Sequence, residues 1–297
     1  MHVNNQSSVR SSRLGTRVAA AWVLGVVVLS FAGWAGGELV AAYGIGSRLR
    51  FGIQAAIMSG LVVPGVWWLR RYVDRRPFAG LAMLGVARSL KGFGLGSGLI
   101  LVPTVITLLC TAILGWATLS INPAPAAVMT LSVGILTAFF FEALPEELLF
   151  RGYIYRNLSG DLPRWIAGLT TVGLFALLPI FVVLLQRHLF KTEIQVGPSD
   201  HLTIGYILTM VIFGTFLQYL RVLTGTVWAG IGFHLFFLMS NRIVGNRASS
   251  FILMSDVTTQ GPMQAVLIGS TLLVFGVLLL YPRLSGRSLG WREVDRE

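Results

Sequence analysis

Phe141 to Leu158 reads FEALPEELLFRGYIYRNL, which sets three carboxylates inside a sequence that is otherwise largely bilayer hydrocarbon. Ionised groups at that depth are costly, and where they persist they are paired or functional. On a helix, Glu142 and Glu146 lie four residues apart on one face, and Glu147 and Arg151 form a second i,i+4 pair about 100° round. The helix therefore has a proton-active edge beside an ion-paired edge. Pro145 removes one backbone hydrogen bond next to these charges, which predicts a bend or local unwinding there.

The surrounding composition sets the class. Hydrophobic residues make up 55% of the 297 and charged residues 12%, against roughly 25% charged in soluble domains, and mean hydropathy is +0.75. This is the signature of an all-α integral membrane protein, with the lipid bilayer as its solvent. The net charge of +11 is spread over loops rather than gathered into a patch with interleaved aromatics, so no nucleic-acid partner is expected. A single cysteine, Cys110, reads as a small buried apolar residue and excludes an intrachain disulfide or thiol-based metal cluster.

Apolar runs predict a polytopic bundle of about eight transmembrane helices, near Val18–Tyr43, Gly52–Leu69, Phe93–Thr118, Ala127–Leu158, Trp165–Gln186, Leu202–Leu220, Thr224–Asn241 and Met263–Tyr281. Residues 1–16 read as a disordered cytosolic tail and 17–126 as N-terminal transmembrane helices. A core domain follows over 127–241, then a last transmembrane helix and cytosolic tail over 242–297. The first run is too long for the apolar region of a signal peptide. Seventeen lysines and arginines fall on the side of the N-terminus and six on the other, so both termini are expected in the cytoplasm. A bacterial inner membrane is the expected location. Trp67, Trp68, Trp116, Trp165 and Trp228 fall near span ends, as interfacial anchors do. The Arg70–Lys91 loop, which contains Asp74, suggests a short amphipathic segment on the inner leaflet and carries no assigned chemistry. Gly92–Gly98 (GFGLGSG) lacks the context of a phosphate loop and reads as close helix packing.

The string Glu146-Glu147-Leu148-Leu149-Phe150-Arg151-Gly152-Tyr153 resembles the first motif, EExxxR followed by a small and an aromatic residue, of the CPBP family of membrane endopeptidases. That family includes type II CAAX prenyl endopeptidases and bacteriocin-processing relatives. By this resemblance Glu146 would activate water, with Glu147 and Arg151 as a supporting pair. A structural salt-bridged helix end is the plain alternative. The family's second motif, F-x-x-x-H, reads here Phe175-Ala176-Leu177-Leu178-Pro179, with proline where the family has histidine. The third, H-x-x-x-N, reads His234-Leu235-Phe236-Phe237-Leu238, keeping the histidine and losing the asparagine.

At 1.5 Å per residue, Glu146 lies ~18 Å and His234 ~15 Å from the inner ends of their helices, so the two can meet at similar depth. Two readings of Glu142 stand: it shares a proton with Glu146, or it points to a neighbouring polar helix. His188 and His201 read as outer-loop residues, and Ser240 and Asn241 as a helix end. With His2 and His234 these complete the histidines, and no metal-ligand spacing exists among them, so neither metal nor cofactor is expected. The catalytic set is then Glu146, Glu147, Arg151 and His234, and the expected partner is a hydrophobic peptide or membrane-anchored protein substrate. Two other readings use the same cavity or charges: a non-catalytic binding or immunity protein, and a proton-coupled transporter relaying through Glu142 and Glu146.

Overall fold

The computed structural model describes residues 3–83, 85–192, 202–245, 251–255, 261–286 and 288–295. Eight helices run through them: α1 (Val3–Tyr43), α2 (Ser47–Trp68), α3 (Val86–Ile113), α4 (Pro125–Ser159), α5 (Arg164–Leu185), α6 (Ile204–Thr224), α7 (Val227–Ile243) and α8 (Gly261–Ser285). Seven are long and apolar enough to cross a bilayer. In α7 the apolar part is the shorter Val227–Ser240. That is below the roughly 20 residues of a full crossing, and residues 229–235 of α7 are buried among the other helices.

Helix α4 carries the glutamates and lies at the centre, against α1, α2, α5, α6 and α7. Its neighbours approach closely where side chains are missing. A Cβ on Gly96 of α3 would overlap the Ala229 carbonyl of α7, and one on Gly232 would strike the Phe93 carbonyl and Ser97. The glycine run 92–98 is thus a helix seam, the packing device of membrane helices. Trp67, Trp68, Trp116 and Trp165 are exposed near helix ends.

Two expectations are corrected. Residues 3–16 are not an irregular tail but the first turns of α1, because nothing in that stretch breaks the helix that the apolar run continues. Beside the all-α bundle, three short strands occur among the described residues: β1 (Thr118–Ile121) pairs antiparallel with β3 (Ile252–Ser255), and β2 (Val244–Gly245) pairs parallel with β3. This small sheet ties the connection after α3 to that after α7 at the end opposite the N-terminus. Cys110 is exposed on α3 rather than buried, as a weakly polar thiol facing lipid can be.

The C-terminal residues pack against the bundle. Across residues 288–295, Arg164 N donates to the Glu293 carbonyl at 3.0 Å, Trp165 N to that of Trp291 at 3.1 Å, and Asp295 N to that of Ser159 at 2.7 Å. Arg164 Nε and Nη2 both reach Asp295 Oδ1, at 2.9 and 2.7 Å. The strap fastens the hairpin between α4 and α5.

Candidate active site

Local backbone explains how α4 presents its charges. The helix is α over Pro125–Ala138, widens into a π turn at Phe139–Ala143, returns to α over Leu144–Glu147, and widens again over Leu148–Ile154 before its last α turn. Leu144 N bonds Phe139 O and Tyr155 N bonds Phe150 O, both i to i−5. The unwinding expected beside Pro145 therefore takes the form of two wide turns that bracket the glutamates. Such turns are rare and concentrate at functional sites.

Glu147 and Arg151 are both fully buried, and Arg151 Nη1 donates to Glu147 Oε1 at 2.9 Å. Arg151 Nη2 donates to the Gly214 carbonyl of α6 at 3.1 Å, and its guanidinium lies 4.4 Å from the centroid of the Phe175 ring. A Cβ on Gly214 would lie 3.1 Å from Phe175 Cδ1, so glycine leaves room for the ring that packs beneath the cation. Arg151 is thus held by a carboxylate, a carbonyl and a ring face. The phenylalanine of the second motif supplies that face, as the cation–π floor beneath the arginine.

His234 approaches from α7, with Nδ1 3.2 Å from Glu147 Oε1, and Phe213 packs edge-on against the imidazole at 4.8 Å between centroids. The histidine expected to share a depth with Glu146 is therefore in contact with Glu147 instead. The reason lies one turn away. Gly230 shares the His234 face of α7, and a Cβ there would lie 3.2 Å from Glu147 Cδ and would overlap Oε2. That missing side chain lets α7 close onto the Glu147 edge. Glu147 Oε2 and Arg151 Nε are buried without a hydrogen-bond partner among the described residues, which marks spare polar capacity inside the network.

Glu146 stands apart from this network. It retains 8% exposure against 0% for Glu147, and among the described residues no hydrogen bond or ion pair engages its oxygens. Glu142, half-buried, is within electrostatic range of Glu146, and the Tyr206 hydroxyl at the start of α6 is within range of both. Tyr206 escaped sequence reasoning because α6 carries no motif around it. Pro179 is buried one turn beyond Phe175 on α5. Since α5 runs antiparallel to α4 and Phe175 lies over Arg151, Pro179 is level with the glutamates. Leu238 is half-buried on α7, and His188 is exposed at the end of α5. His2 and His201 lie outside the described residues, as does the side chain of Asn241. Among the described residues no three His, Cys, Asp or Glu side chains gather as a metal site would require.

Fold and site together define a polytopic membrane protein whose central helix buries a carboxylate–guanidinium–imidazole network. Residues 127–239 match the family of type II CAAX prenyl endopeptidase Rce1-like proteins. That match supports a relationship to the CPBP family of intramembrane endopeptidases, a protease family. No curated protein matches it.

Proposed function

We propose that this protein is a metal-independent glutamic endopeptidase that cleaves a hydrophobic or lipid-modified peptide tail, with Glu146 as general base and His234 as the group facing the developing oxyanion. The observation that carries the reading is that the family-matched stretch holds Glu147, Arg151 and His234 in one buried network, with an unpaired carboxylate, Glu146, next in sequence. A base needs reach toward water, and Glu146 keeps a small exposure and has no fixed cation. Its carboxylate takes a proton from water as the oxygen attacks the scissile carbonyl, and passes that proton to the leaving amine nitrogen as the C–N bond breaks. Where Nδ1 of His234 donates to Glu147, Nε2 is left to face the substrate: the neutral ring accepts a proton there, and the imidazolium donates to the oxyanion. Glu147 orients the ring and compensates its positive charge, while Arg151 fixes Glu147. A substrate cavity that opens to the cytoplasm between α4, α5 and α7, the bacterial inner membrane and the cytoplasmic termini belong to the same proposal.

Pro179 and Leu238 favour a second reading, a membrane binding or immunity protein that has lost catalysis. Purified protein in proteoliposomes, given a membrane-anchored peptide, separates the two. Cleavage is expected to resist chelators and to vanish in Glu146→Gln. In His234→Gln it should fall by about 100 to 1000-fold, the typical cost of one oxyanion donor. Pro179→His should raise cleavage, since it adds a donor level with the glutamates and restores a backbone N–H. Peptide binding without cleavage in wild type and in folded Pro179→His would select the second reading.

A further inference from the structure

Another buried carboxylate of this chain lies outside the family-matched residues, in the turn that ends α2. Asp74 has a fully buried side chain. Its Oδ1 accepts from the Tyr153 hydroxyl at 3.0 Å and lies 3.3 Å from Arg17 Nε of α1. Its Oδ2 accepts from Arg70 Nη1 at 3.3 Å and from Asn157 Nδ2 at 3.2 Å. Arg70 is itself tied to the Pro77 carbonyl at 3.3 Å. Three elements therefore meet at one carboxylate. Two of the four donors, Tyr153 and Asn157, stand one turn apart on α4.

Their position on α4 matters because of the wide turn over Leu148–Ile154. A turn closed by i to i−5 bonds takes up one residue more than an α turn. Relaxing it to α would rotate everything before it by about 100° relative to everything after it. Glu146 and Glu147 lie before the turn, and Asn157 lies after it. Inside the turn, Arg221 of α6 donates from Nε to the Arg151 carbonyl at 3.1 Å. The glutamates are aimed by whatever keeps the far side of the turn from rotating.

We infer that Asp74 is a positioning residue: by holding Tyr153 and Asn157 it keeps the wide turn in register, so that Glu147 faces His234 and Arg151. As a statement about catalysis this rests on the peptidase reading; as a statement about site geometry it does not. The experiment therefore reads both. Full-length protein in nanodiscs is labelled on its histidines, and the His234 ring resonance is identified by its loss in His234→Gln. In Asp74→Asn that resonance is expected to leave its wild-type position and move toward the one seen in Glu147→Gln. Cleavage of the anchored peptide should fall by about 100-fold in kcat, the scale of an ångström-level misplacement, with KM little changed. Tyr153→Phe, which removes one hydroxyl, should give a smaller shift in the same direction and decides the matter if Asp74→Asn does not fold. An unmoved His234 resonance in the folded variants overturns the inference and makes Asp74 a purely structural anchor. A moved resonance in a protein that never cleaves supports the positioning role and overturns the peptidase reading.

Discussion

Glu146 and Glu147 are adjacent in the chain but not in environment. Glu147 is locked between a guanidinium at 2.9 Å and an imidazole at 3.2 Å, while Glu146 has neither partner. Removing Glu147 leaves Arg151 as a buried cation without its carboxylate, and breaking a buried pair from one side typically costs about 3 to 5 kcal/mol. Glu147→Ala is therefore expected to lower stability well beyond Glu146→Ala, which removes a group with no fixed countercharge. Thermal denaturation of the two variants in the same detergent gives the order, and equal losses would argue against separate roles.

At the scale of elements, the site depends on how near α7 comes to α4, and the absence of a side chain at Gly230 sets that distance. A methyl there overlaps Glu147 Oε2, so one of the helices must retreat or Glu147 must turn away from His234. Gly230→Ala is expected to lower stability by about 1 to 3 kcal/mol, the usual cost of overpacking, and to reduce any cleavage more than Gly94→Ala, whose Cβ meets open space. Comparing peptide turnover and melting temperature of the two variants checks this. Equal turnover would mean that the Glu147–His234 contact is not needed for the reaction.

For the whole molecule, the decisive geometry is that both chain ends lie on one face. Arg17, in the N-terminal half of α1, meets Asp74, and Asp295 meets Arg164, at the same end of the bundle where α4 finishes. The excess of basic residues on that face predicts that it lies in the cytoplasm. A C-terminal reporter active only outside the cytoplasm should therefore be silent. Because the two ends are tied to one face, an active reporter would mean an inverted bundle rather than a miscounted span.

Apolar run lengths determined the eight helices, and the i,i+4 spacing of Glu147 and Arg151 determined their ion pair, because both are local properties of a helix that the bilayer enforces. The EELLFRGY string was enough to point to the family. What the chain could not show from spacing alone was which glutamate His234 would meet. That choice turns on a rotation of α4 by two wide turns and on the approach of α7 through Gly230, neither of which has a period or a composition. Phe175 under Arg151, the Gly214 carbonyl and the Asp74 knot escaped for the same reason: each joins residues about 24 to 80 positions apart, and only the packed bundle, where α1, α2, α5 and α6 close around α4, brings them within bonding distance.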